Sequence, residues 1–280
     1  MVIDFIHWSQ NPEIFRIGSF AVRWYGLFFA MSFYLGYLIM SGFFKKDGLD
    51  IALLDKLSVY MIVGTVVGAR LGHCLFYQPD YYLSRPIEIL KIWEGGLASH
   101  GAAIGILTAL YFFARKSGQT YLWTVDRIVI VVALAGFFIR MGNLMNSEIY
   151  GMKTSLPWAF VFNRAEPGLN IPRHPTQIYE ALTYISIFIL LFLIYKIKNG
   201  VLKDGQLFGL FLVILFGARF LLEFIKEPQV EFENSLVLNL GQGLSIPFIL
   251  AGVYILFRVR FKPFGHWPKQ KITNKINENA

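Results

Sequence analysis

The chain is poor in charge. Asp, Glu, Lys and Arg together make up 16% of its 280 residues, where ordinary soluble domains carry roughly 25%. Cysteine is nearly absent: Cys74 stands alone, which excludes an internal disulfide and leaves an acyl-thioester route only one residue to use. That thiol follows Arg70 by four residues, a neighbour able to lower a thiol pKa, but a lone membrane cysteine more commonly serves as a small apolar packing residue. No close His, Asp and Glu set has the spacing of a zinc or magnesium site, so neither a metal nor a cofactor is expected. Basic residues outnumber acidic ones, 26 to 18. No gap between apolar runs is long enough for a separate folded domain, so a nucleic-acid role has nowhere to reside and no nucleic acid is expected as a partner.

What is present is hydrophobic length. Apolar runs fall near 19–44, 57–77, 95–114, 124–145, 178–195, 206–225 and 241–257, and about 20 residues suffice to cross a hydrocarbon core. The expected fold is all-α: a polytopic membrane protein with seven transmembrane helices over residues 1–262. A small outside-facing cap is expected near 146–177, and a polar cytoplasmic tail over 263–280. Residues 1–18 contain Asp4 and Glu13 and no apolar signal-peptide core, so the first span reads as an uncleaved targeting segment. With the N-terminus outside, 15 of the 26 basic residues, among them Lys45, Lys46, Arg115, Lys116, Arg258 and Arg260, fall on inner loops and tail. That is the positive-inside pattern, with the C-terminus cytoplasmic.

The polar residues inside these spans share a level. Arg70, Arg140 and Arg219 lie in the three outward-running spans, about 5–8 residues before the outer end, or about 8–12 Å inside the rim at 1.5 Å per residue. Inward-running spans place Tyr25, His100, Gln177, Glu180 and Gln242 near their starts, at the same depth. Guanidinium holds phosphate oxygens bidentately and stays charged when partly buried, and a bilayer supplies phosphate as lipid headgroups. Glu223 follows Arg219 by four residues, on the same helical face, so it can steady that guanidinium or accept from a headgroup hydroxyl. His100 is the one proton acceptor of neutral pH in the layer. For each residue alone, helix-to-helix hydrogen bonding or snorkelling is the plainer explanation; the whole layer argues for a site.

The densest polar run is RMGNLMNSEIYG, with Arg140, Gly142, Asn143, Asn146, Glu148 and Gly151. It resembles the signature of the bacterial prolipoprotein diacylglyceryl transferases, Gly-Arg-x-Gly-Asn-Phe-x-Asn-x-Glu-x-x-Gly. Ile139 replaces the leading glycine and Leu144 the phenylalanine, and neither change removes a polar group. RWYGLFFA around Tyr25, GGLASHGAAIG around His100, HPTQIYEAL, GARFLLEFIKEPQ and GQGLSIP resemble further motifs of that family in the same order. Lys226 stands where many members have arginine, which leaves a point charge in place of a bidentate grip.

The resemblance implies an enzyme of the bacterial inner membrane, working at its outer face. The diacylglyceryl group of phosphatidylglycerol passes to the lipobox cysteine thiol of a prolipoprotein signal peptide, making a thioether and releasing glycerol phosphate. Its implied catalytic residues here are His100, Arg140, Arg219 and Tyr25. The lipid is expected to meet Arg140, Asn143, Glu148, Gly151, Arg70, Glu223 and Gln242. The residues suit such chemistry independently, because a thiol must lose its proton and a phosphate leaving group develops charge that guanidinium stabilises. Which of His100, Tyr25 or an arginine takes the proton stays open. An anion channel would need polar residues continuing to the inner face, where the second, fourth and sixth spans instead begin apolar. A non-catalytic lipid binder would explain a pocket but not a proton acceptor converging with phosphate holders.

Overall fold

The computed structural model describes residues 5–18, 20–227 and 238–261, and the tail expected at 263–280 lies outside them. Eight helices are described: α1 (Trp24–Asp47), α2 (Ile51–Phe76), a short α3 (Pro79–Ser84), α4 (Ser99–Ser117), α5 (Tyr121–Asn146), α6 (Thr176–Ile197), α7 (Gln206–Leu222) and α8 (Leu240–Phe261). Local chemistry sets their ends. Asp50 accepts from Ala52 N at the start of α2 and Thr120 from Trp123 N at the start of α5, each satisfying a donor that the first turn leaves unpaired. Gly48 and Gly118 close α1 and α4 in the left-handed region, with φ of 71° and 72°, where glycine meets no Cβ penalty. Lys45, Lys46, Arg115 and Lys116 sit in those last turns, favourably placed against the helix dipole.

Several boundaries differ from the sequence expectation; α2, for one, starts at Ile51 and not near 57, behind its Asp50 cap. The first helix starts at Trp24 and not near 19, because Phe20–Arg23 forms a strand. The third long helix starts at Ser99 and not at 95, because Gly95 and Gly96 take φ of 88° and 67°, outside helical space. Among the described residues six helices are long and apolar enough to cross a membrane, and α4 is not among them. The structure is thus mostly helical, as a polytopic membrane protein requires. It is not purely helical, since five short strands are also present. β1 (Ile6–Trp8) runs parallel to β4 (Phe160–Phe162) with Ile6 opposite Phe160, and β5 (Pro172–Arg173) pairs antiparallel on β4's other side. β2 (Glu13–Ile17) and β3 (Phe20–Arg23) form a separate hairpin. Sequence periodicity missed these because strands this short are dictated by their pairing partners.

Helix α5 is the most enclosed, and Ile130 and Ala133 at its centre are fully buried. Apolar side chains such as Val59, Ile62, Leu182 and Leu221 stay exposed on the outer faces of the bundle, the reverse of a water-facing surface. At the end of the bundle where α5 begins, Asp126 accepts from Gly205 N and Phe208 N, both at 2.7 Å, and so caps α7 from a neighbouring helix. Arg127 pairs with Asp47 at 2.7 Å and stacks 3.9 Å over Trp123. Sequence alone placed Arg127 on an inner loop; it is buried within α5. The strands and the connection between α5 and α6 gather at the other end.

Helices α2 and α4 meet backbone to backbone. Gly64, Gly68 and Gly72 face Gly101, Gly105 and Ala109, a stripe of small residues every fourth position that lets two helices approach closely. A Cβ at Gly105 would collide with the Gly64 carbonyl oxygen and lie 2.8 Å from Gly68 Cα, so no side-chain rotation relieves it. Gly105→Leu is expected to cost at least about 1–3 kcal/mol and to lower the thermal midpoint in detergent by about 2–4 °C per kcal/mol. Gly42→Ala, where a Cβ meets nothing within 4 Å, is the control and should leave the midpoint unchanged.

Candidate active site

The signature run ends α5 and turns into the connection to α6. Ser147 closes α5 in the left-handed region, and Ile149 also has a positive φ, 58°, an uncommon and strained setting for a β-branched residue. The first turn of α6 holds this turn in place. Gln177 Nε2 donates to Glu148 O at 2.7 Å and Thr176 Oγ1 to Ile149 O at 2.9 Å. Gly151 N donates to His174 O at 2.9 Å, and Met152 N to Ile225 O at 2.9 Å. A Cβ on Gly151 would lie 2.6 Å from both Ile225 O and Thr176 Cγ2, so the glycine is there for contact with two other chain segments at once.

Within this frame the polar side chains form a chain of contacts. Asn143 and Asn146 both donate to Glu148 Oε1, at 2.7 and 3.1 Å. Asn143 Oδ1 accepts from Arg140 Nη1 at 3.1 Å. Arg140 Nε lies 2.7 Å from Glu180 Oε2, and the other Glu180 oxygen lies 2.8 Å from Lys226 Nζ. Lys226 in turn lies 3.9 Å from Glu223 Oε2. Glu180 and Lys226 are both buried. A buried carboxylate between two cations keeps each charge compensated away from water. Tyr25 packs its ring on Gly142, where a Cβ would come within 2.7 Å, and it feels the charges of Glu148 and Arg140.

Arg219 is different. Half-buried on α7, it lines a small cleft with Glu180, Thr183, Tyr184 and Leu222. Among the described residues no carboxylate pairs with it, and Glu223, expected as its partner, sits beside Lys226 instead. Gln242 helps cap α8: its amide N–H donates to Asn239 Oδ1 at 2.9 Å and its Oε1 accepts from Asn239 N at 3.2 Å, a reciprocal box. The box joins the cluster through Asn239 Nδ2, 3.4 Å from Glu223 O.

Two expected site residues lie elsewhere. Arg70 spends its donors on backbone: Nε on Ile89 O, Nη1 on Gly95 O and Nη2 on Glu88 O, at 2.9, 2.6 and 2.6 Å. It also stacks 5.0 Å over Tyr82, so its role here is to hold the segment between α2 and α4. His100 is exposed at the start of α4, its ring edge-on to Phe76 at 5.4 Å and tilted to Tyr77 at 5.8 Å. Among the described residues neither bonds to the Arg140 cluster. Cys74 is fully buried, as a packing residue should be. Sequence reasoning put Glu180 in the polar layer without assigning it, and took Lys226 as a free point charge. The signal for their union was a carboxylate four residues into an apolar helix, which must find a cation.

A second cluster braces the connection between α5 and α6. Arg173 grips both oxygens of Glu166 at 2.8 and 2.6 Å, reaches Glu227 at 2.8 Å and stacks 4.9 Å from the Tyr150 ring. Its hydrogen bonds hold the Glu166 carboxyl below the usual carboxylate range, and Glu166 in turn raises the Arg173 guanidinium further. Burial pushes the His174 imidazole below its ordinary value. The polar cluster also adjoins an apolar cavity of about 510 Å³, lined by Phe33, Met40, Met61, Val132, Ile139 and Tyr184 among others. Tyr184 borders both this cavity and the Arg219 cleft.

A family model described as prolipoprotein diacylglyceryl transferase matches residues 12–258. The chain belongs to that family. It is 47% identical over 252 residues to a phosphatidylglycerol–prolipoprotein diacylglyceryl transferase of Tolumonas auensis, covering 90% of this chain and 96% of that protein. Proteins of the same name from Chloroherpeton thalassium and Bacteroides fragilis are 46% and 41% identical, covering 91% and 90% of this chain and 94% of each relative. Membership spans every element from β2 to α8, so the frame around Arg140 falls inside the matched region.

Because Gly151 is hemmed in by two other segments, Gly151→Ala is expected to break its bridge to Lys226 and so to loosen Lys226 from Glu180. The thermal midpoint in detergent should fall by several degrees, at about 2–4 °C per kcal/mol, with hydrogen exchange at Met152 rising in parallel. Unchanged exchange at Met152 would show that the bridge survives.

Proposed function

We propose that this protein transfers the diacylglyceryl group of phosphatidylglycerol to the lipobox cysteine of a prolipoprotein signal peptide. The names of its relatives support both substrates. The observation that carries the reading for this chain is the pairing of a clamped guanidinium with an unclamped one. Arg140 is fixed by Asn143 and Glu180, while Arg219, which lines a cleft with Glu180, has no carboxylate partner among the described residues. An unpaired half-buried guanidinium is costly without an anion, and a lipid phosphodiester is the anion a membrane provides.

In this reading the substrate thiol gives up its proton and its sulfur attacks the glycerol carbon of the diacylglyceryl group that bears the phosphate. A C–S bond forms as the C–O bond breaks, and glycerol phosphate leaves with the electron pair. Arg140 and Arg219 stabilise the charge that grows on the phosphate oxygens, and the lost proton goes to a protein base or to the departing phosphate. Asn143, Glu148 and Gly151 hold the rim in register, Tyr25 borders it, and Glu223 and Gln242 close its far side. The apolar cavity beside Tyr184 suits an acyl chain, being concave and almost wholly hydrocarbon-lined.

The membrane arrangement completes the proposal. α4 serves as a seventh span beside the six apolar helices, sheltered by its glycine contact with α2. Residues 1–262 form the transmembrane domain, with the 146–177 cap and the arginines at the outer face of the cytoplasmic membrane. The N-terminus is outside and the basic tail of 263–280 is cytoplasmic, with no metal or cofactor required.

Arg140→Lys keeps the charge and loses the planar fork, and Arg219→Ala removes the unpaired cation. Each is expected to lower turnover of purified enzyme with a lipobox peptide by roughly 10²–10³-fold with a native-like thermal midpoint; near wild-type turnover for both would refute the phosphate-holding assignment. His100→Gln keeps hydrogen bonding and removes basicity. If His100 is the base, turnover collapses across a pH range bracketing its ordinary value of about 6.5. A normal rate across that range assigns His100 to packing against Phe76 and Tyr77.

A further inference from the structure

Helix α6 carries two acceptors whose hydrogen-bonding capacity the site has not exhausted. Gln177 is fully buried; its Nε2 is spent on Glu148 O, and its Oε1 has no donor among the described residues. Glu180, also buried, gives Oε1 to Lys226. Its Oε2 lies 2.7 Å from Arg140 Nε but receives no aligned hydrogen bond. The two residues are three apart, one turn along the same face of the helix. A buried acceptor left without a donor costs about 1–3 kcal/mol, so Gln177 Oε1, one turn from an ion-paired carboxylate oxygen that still has acceptor capacity, marks a place for a ligand that brings hydroxyl donors together with an anion.

We propose that Gln177 Oε1 and Glu180 Oε2 accept hydrogen bonds from the headgroup hydroxyls, so that α6 selects a polyol phosphodiester over other lipid phosphodiesters. This rests on the transferase reading above and adds residues that set its substrate specificity. The chemistry is complementary: the guanidiniums are donors only and read the phosphate, whereas an amide oxygen and a carboxylate oxygen accept and read the two O–H groups of a terminal glycerol. Glu180 thereby couples the two functions, since the carboxylate that orients Arg140 also touches the alcohol being selected. A headgroup lacking hydroxyls leaves Gln177 Oε1 buried and unpaired and Glu180 Oε2 with Arg140 alone, and sites built this way discriminate strongly against the missing group.

The test compares two lipids with identical acyl chains, phosphatidylglycerol and phosphatidylmethanol, the second having the phosphodiester without hydroxyls. Purified full-length protein in mixed micelles receives a lipobox peptide, and the thioether product is followed by mass spectrometry. Wild type is expected to favour phosphatidylglycerol by roughly a hundredfold or more. In Gln177→Met and in Glu180→Gln that ratio should shrink at least tenfold, whatever happens to the absolute rates. Equal use of both lipids by wild type overturns the proposal, and this arm holds even where a variant fails to fold. An unchanged ratio in both folded variants overturns it too, as does a ratio that moves only in Glu223→Gln, whose Oε2 is likewise without a donor. A wild-type protein that transfers from neither lipid instead counts against the transferase reading itself.

Discussion

A carboxylate shared between two cations in a low-dielectric setting is the constraint on which this site depends. Glu180 reaches from α6 to Arg140 on α5 and to Lys226 beyond α7. Each of the three charges would be prohibitively expensive inside a bundle alone; together they fix α5, α6 and the segment after α7 at one level. The turn after α5 can then be strained at Ser147 and Ile149, because the first turn of α6 holds it through side chains that the same ion pairs keep in place. Arg219 stays outside this neutralised set, and the function proposed here follows from that imbalance.

The helices were legible because their cause is local. Runs of about 20 apolar residues have few alternatives in water or lipid, and caps such as Asp50 and Thr120 are written within three residues of the turns they satisfy. The signature around Arg140 was legible for a similar reason: Arg140, Asn143, Asn146 and Glu148 lie within nine positions and bond mostly to one another. What could not be read is long-range. Equal depth suggested that Arg70 joins Arg140 and Arg219, yet depth says nothing of direction around a helix axis. Arg70 points instead to carbonyls 18 to 25 residues further on. Glu223 and Arg219 share a helical spacing, but the break of helix after Leu222 brings Lys226 to Glu223 instead. The strand pairing of Ile6 with Phe160 joins segments that no periodicity relates.

In the function proposed above, the polar cluster and the apolar cavity divide the work of recognition. Along α5 the lining changes from hydrocarbon at Val132 and Ile139 to charge at Arg140 within a single turn, which matches the boundary inside an amphiphile between tail and phosphate. Such a boundary fixes how deep a lipid can sit.

The glycine seam between α2 and α4 also bears on how the chain is made. α4 carries His100, glycines and a basic end, and by composition it is the one long described helix that does not qualify as a span by itself. Its partner emerges first during synthesis and presents Gly64, Gly68 and Gly72 along one side. If α4 is the seventh span proposed above, its insertion is a matter of pairing before partitioning. In the seven-span arrangement proposed above, α2 would have to stay within reach until residue 117 has been made, and the segment that Arg70 ties down is placed to act as the tether between the two.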